Sequence, residues 1–147
     1  MTAEEIRARQ ARCRPHLLRL RMLAGTVAGR TQAPAEIRRA ASAVMAEVTA
    51  AGRAPARIAE TGPGGRAAEP FLGIRLVRLA EAAEEAAAAA RDGNAAAVRR
   101  HVRRFETLTS AVWIVQHVLH GASPRQAVTS SAHGARQRAT GPGPAGR

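Results

Sequence analysis

Arg99, Arg103, Glu106, Ser110, Trp113 and His117 recur at intervals of three and four residues, so on an α-helix they fall along one stripe. Their chemistry is mixed. Two guanidinium groups suit a phosphate or a carboxylate, Glu106 and His117 offer polar contacts, and the chain's single Trp can stack on a base, a ring or a partner side chain. This stripe is the candidate binding surface. A plainer account packs Trp113 at the edge of a helical core and pairs Glu106 with Arg103. A pocket converging on Glu106, Trp113 and His117 would instead suit a small ligand or a reaction.

A second set is basic. Arg7, Arg14 and Arg21 follow one another at seven-residue intervals on one flank of an apolar stripe, with Arg9, Arg12 and Arg19 on or near the other. With Arg136, Arg138 and Arg147 near the C-terminus they form the alternative site, one that holds nucleic-acid phosphates and weakens steeply with salt. Arginine stems lying beside an apolar seam are the competing explanation. Gln116 to Val128 resembles, in outline, the helix, glycine turn and capped helix of helix-turn-helix DNA readers. His117 stands where that motif takes a small residue, and Ala127 and Ser130 stand where it takes larger ones.

Other constellations fall short of a site. His117 and His120 are three apart, but zinc needs three or four ligands and no Glu-x-x-His accompanies them. His101 lies on the apolar face, where a hydrogen-bonded core role is expected. Glu81, Glu84 and Glu85 read as a solvated face pairing with Arg78, since spacing alone gives no opposed acid and base. Thr61 to Arg66 reads TGPGGR, which has the glycines of a phosphate loop without its Gly-Lys-Ser/Thr or a preceding strand. Asp92 is the only Asp, Tyr is absent and Cys13 is alone, so no catalytic residue, cofactor or metal is assigned. The lone Cys also rules out an intramolecular disulfide and points to a reducing compartment.

The elements that must position these groups are helices. Thr2 and Glu5 form a capping box for a helix from Ala3 to about Ala28, whose stripe is Ile6, Cys13, Leu17, Leu20, Ala24 and Val27. Pro15 is expected to kink or break it near Cys13 and Arg14. A second helix opens near Thr31 to Pro34, buries Ile37, Ala41, Val44, Val48 and Ala51, and stops at Gly52. A Gly/Pro-rich loop to Arg66, with one short turn at Pro55 to Glu60, leads to a third helix over Ala67 to Arg91. Its seam is Leu72, Leu76, Leu79, Ala83, Ala86 and Ala90. Arg91 to Asn94 make a tight turn into a fourth helix, Ala95 to His120, with Val98, Phe105, Leu108, Val112, Val115 and Leu119 inward and Gly121 as its stop. A short capped helix follows Ser123.

The expected architecture is therefore all-α: a small antiparallel bundle of three to four main helices over residues 1–132, with a flexible basic tail over 133–147. The core is thin, because 36 of the 147 residues are Ala and only 31 are larger apolar residues. Leu, Ile, Val and Phe make up about 18% of the chain, a share that leans toward disorder and favours completion by a second copy or a partner. The formal charge of +12 comes wholly from Arg on the basic side, a pattern of GC-rich bacterial codon usage, and it favours anionic partners. Apolar runs are too short for a membrane span and no leader is legible, so a cytoplasmic location is expected. These readings converge on a non-catalytic binding or regulatory protein that self-associates and engages a macromolecule, protein before DNA or RNA.

Overall fold

The computed structural model describes residues 2–26, 31–53, 63–121 and 125–129, and the chain is helical almost throughout them. The four long helices are α1 (Ala3–Gly25), α2 (Ala33–Arg53), α3 (Pro63–Arg91) and α4 (Ala95–Leu119). Val27, the turn at Pro55 to Glu60 and the basic tail lie outside the described residues.

Local chemistry sets the ends. The Thr2 hydroxyl accepts from the Glu5 amide while the Glu5 carboxylate accepts from the Thr2 amide, satisfying two of the donors that open α1. At α2 the Glu36 amide donates to the Gln32 carbonyl, which places Pro34 in the first turn, where its missing N–H costs nothing. Pro63 opens α3 in the same way, so this helix begins four residues earlier than Ala67, and Gly64 and Gly65 sit in its first turn rather than in a loop. Between α3 and α4, Gly93 takes φ +72, a left-handed conformation that glycine adopts without strain. Asn94 then caps α4 by accepting from the Ala97 amide at 3.1 Å. His120 and Gly121, at φ +92, close α4.

Pro15 does not break the first helix: α1 runs through it without interruption. Cys13, before it, and Leu17 and Leu20, after it, are buried together, so both halves are held against one core.

The helices pack as a square, α1 beside α2, α2 beside α3, α3 beside α4 and α4 beside α1. Ion pairs show the directions. Arg9 and Arg12 meet Glu47 while Arg19 meets Glu36, so α1 and α2 are antiparallel; the tight turn makes α3 and α4 antiparallel. The result is an up-down-up-down four-helix bundle. Its interior joins the inward stripes of α1, α2 and α4 to a broad alanine face on α3, where Leu79, Ala82, Ala83, Ala86, Ala87, Ala89 and Ala90 are buried. Small side chains here let α3 lie close to its neighbours. Cys13 is enclosed, its Sγ–H directed at the Val44 carbonyl, and burial pushes its thiol up to about 12. It is a core residue. Among the described residues no helix is long and apolar enough to cross a membrane.

Candidate functional site

The stripe on α4 is a seam, and only part of it is surface. Arg99, Arg103 and Ser110 are exposed and Glu106 is half-buried, but Trp113 is 2% and His117 3% exposed. Trp113 therefore cannot serve as an external stacking platform. The reason is geometric: the edge of α4 that carries Glu106, Trp113 and His117 faces α1.

Two polar contacts cross this seam. Arg21 donates to Glu106 in a two-pronged pair, Nε to Oε1 at 2.6 Å and Nη2 to Oε2 at 3.1 Å, which replaces the expected Arg103–Glu106 pairing. His117 Nε2 donates to Gln10 Oε1 at 2.7 Å. Arg21 lies eleven residues after Gln10, and Glu106 eleven before His117, close to three helical turns in each helix. The contacts thus recur on one face of each helix and fix an antiparallel register. The Glu106 hydrogen bond raises the Arg21 pKa further, keeping the guanidinium charged. Burial lowers that of His117, with Arg7 and His120 acting in the same direction, so its neutral form is favoured.

Near the C-terminal end of α1 the seam opens into a cleft of about 410 Å³ lined by Arg21, Ala24, Arg99, Val102, Arg103 and Glu106. Ala24 and Val102 give it an apolar floor. Glu106 compensates Arg21. Arg99 and Arg103 are one turn apart on one face of α4, and neither has an ion-pair partner among the described residues. Such a pair of forks suits carboxylate or phosphate oxygens, which a guanidinium binds with two parallel hydrogen bonds.

The basic ribbons of α1 separate in the same way. Arg9 and Arg12 pair with Glu47 and Arg19 with Glu36, so that flank binds α2. Arg7 is exposed, Arg14 half-exposed and Arg21 committed to Glu106; Arg136 and Arg138 lie outside the described residues. The carboxylates of α3 are also placed differently from expectation. Glu84 pairs with Arg38 of α2 and Glu85 with Arg104 of α4, rather than with Arg78. His101 Nδ1 lies 3.0 Å from Glu85 Oε2 yet out of line for a hydrogen bond. His120 Nδ1 meets the Gln116 carbonyl at 2.8 Å. Among the described residues no cluster of three or more His, Cys, Asp or Glu could hold a metal ion. Of the helix-turn-helix outline, 125–129 are helical with Ala127 buried and Val128 exposed.

Sequence reasoning placed Arg21 in one candidate set and Arg99, Arg103 and Glu106 in another; the cleft unites them. It passed over Gln10 and Val102, and gave Ala24 a place in the inward stripe of α1 but none at a site. The matched spacing of Gln10 and Arg21 on one helix with Glu106 and His117 on the other was the signal available for Gln10.

Comparison of the chain with known protein families, with curated proteins and with solved structures found no match.

Proposed function

We propose that this protein is a non-catalytic helical binding protein that engages an acidic segment of a protein partner through the α1/α4 cleft. The observation that carries this reading is the charge balance of the cleft: one glutamate fixes one arginine, while Arg99 and Arg103 stand uncompensated above an apolar floor. Nucleic acid is the weaker candidate, because Trp113 is enclosed and three arginines of α1 already neutralise glutamates of α2. A catalytic or carrier pocket on Glu106, Trp113 and His117 is also weaker, since the latter two side chains fill the seam.

Self-association belongs to the same proposal and has its own surface. Ile74 and Val77 are 56% and 59% exposed on α3. Arg78 and Glu81, both exposed beside them, carry opposite charges that a two-fold copy could pair reciprocally.

The test of the main reading is fluorescence anisotropy with a labelled Glu-rich helical peptide and a single-stranded oligonucleotide of equal charge. Wild-type protein should bind the peptide, and Arg99→Glu/Arg103→Glu should weaken it by at least about tenfold. Equal binding by the variant, or clear preference for the oligonucleotide, would defeat the reading. Sedimentation of Ile74→Glu/Val77→Glu against wild type tests the second surface; unchanged mass would remove it.

A further inference from the structure

α1 is apolar on two faces, and only one of them is used by the bundle. The inner face buries Ile6, Cys13, Leu17, Leu20, Leu23 and Ala24. On the outer face Ala11, Pro15, Leu18 and Met22 are all exposed, the last two at 42% and 62%. Their intervals of four, three and four residues are those of a stripe that packs along another helix. Cations border it on both sides. Arg7, Arg14 and Arg21 each precede an apolar position of the stripe or its continuation by one residue, and Arg12 and Arg19 each follow one. In two packed helices these bordering positions contact the partner's charges.

We infer that the outer face of α1 is a docking surface for an acidic amphipathic helix of another protein. This rests on the reading that the cleft takes an acidic segment, and adds the apolar contact that selects a helix over a merely charged chain. The cleft and the stripe are continuous through Arg21, which lines the first and borders the second. Charge decides the occupant. Arg12 and Arg19 on one border already meet Glu47 and Glu36, and Arg21 meets Glu106. A second copy of α1 would set further arginines against Arg7 and Arg14, which have no ion-pair partner among the described residues, whereas glutamates on the partner would pair with them. The chain's own C-terminal stretch, with Arg136, Arg138 and Arg147 and no acidic residue after Glu106, has the wrong sign. A helix spanning residues 11–22 needs about 18 Å of length, or roughly twelve residues, to cover the stripe.

The experiment uses the full chain and four labelled probes: an amphipathic peptide with Leu at three- and four-residue spacing and Glu on both borders, a scrambled peptide of the same composition, oligoglutamate, and single-stranded DNA of equal charge. Wild type is compared with Leu18→Glu/Met22→Glu and with Arg99→Glu/Arg103→Glu, after circular dichroism confirms that each is folded. Scrambling the peptide and substituting Leu18 and Met22 should each weaken binding by about tenfold or more, as should the arginine variant. If only the arginine variant weakens binding, or the scrambled peptide binds as well as the amphipathic one, the docking inference fails while the cleft reading survives. Failure of wild type to bind the amphipathic peptide, or binding that neither variant alters, overturns both. Tighter binding of DNA than of the amphipathic peptide also overturns both and transfers the arginines to phosphate recognition.

Discussion

Gln116 is fully enclosed, yet neither its amide nitrogen nor its amide oxygen has a hydrogen-bond partner among the described residues. A buried amide in that condition costs about 1–3 kcal/mol, whereas an apolar side chain of similar shape carries no such penalty. Gln116→Leu should therefore stabilise the fold by about 1 kcal/mol, while Gln116→Ala should destabilise it by about 2 kcal/mol through the cavity it leaves. Urea titration of both variants separates the effects; a Leu variant less stable than wild type would show that the amide is satisfied after all. At the next residue, His117 has its pKa lowered by burial first, then by Arg7 and His120. The unfolded chain thus takes up this proton at higher pH than the folded one. The stabilisation is full above the ordinary value near 6.5 and is lost as pH falls below it toward the folded value. The urea midpoint should fall between pH 7.5 and 5.5, and fall less in His117→Gln; equal declines would remove His117 from the cause. These two residues also mark what the sequence leaves open at the site. Phase puts Arg99, Arg103, Glu106, Ser110, Trp113 and His117 on one edge of α4, but whether another helix covers that edge depends on packing that no local pattern encodes.

Pro15 stands in the middle of α1, exposed, where it deprives the Ala11 carbonyl of its intrahelical donor. Its replacement touches no core contact. Pro15→Ala should stabilise the protein by about 2 kcal/mol, the recovered hydrogen bond and relieved clash outweighing the entropy that proline removes from the unfolded chain. No gain in the urea midpoint would mean that α1 bends to accommodate the ring at little cost. The continuity of α1 also shows how much of the architecture the sequence carried. Ile37, Val44 and Val48 on α2, and Val98, Phe105 and Val112 on α4, have the burial their spacing predicts. Large aliphatics have one comfortable face. Alanine does not discriminate: Ala8 and Ala11 are exposed, while Ala82, Ala87 and Ala89, outside the expected seam of α3, are buried. A chain so rich in Ala thus reveals the direction of each core stripe better than its width. For the same reason, the outer stripe of α1 was hidden beneath a stronger inner one of similar period.

At the scale of the molecule, five glutamates lie on the seams between helices. Each side of the square carries an Arg–Glu pair: Glu36 and Glu47 join α1 to α2, Glu84 joins α2 to α3, Glu85 joins α3 to α4, and Glu106 joins α4 to α1. Among the described residues several arginines, Arg7, Arg99 and Arg103 among them, stand outside these pairs, within a formal charge of +12. Salt acts on these two populations in opposite directions. It weakens the seam pairs, each worth about 0.2–1 kcal/mol at such exposure, but the partners are nearly in contact and screening reaches them poorly. Repulsion between two like charges about 20 Å apart is only about 0.2 kcal/mol in water, yet a dozen excess charges make dozens of such pairs. Their separation exceeds the Debye length of about 10 Å at 0.1 M salt, so screening removes most of this repulsion. The repulsive sum should win. Raising NaCl from 20 to 200 mM at neutral pH should move the urea midpoint upward, and Glu47→Gln, which adds one more uncompensated charge and leaves Arg9 and Arg12 without their partner, should enlarge that rise. A midpoint that falls with salt would mean that the four stapled seams, rather than the crowding of arginines around them, set the electrostatic balance of the fold.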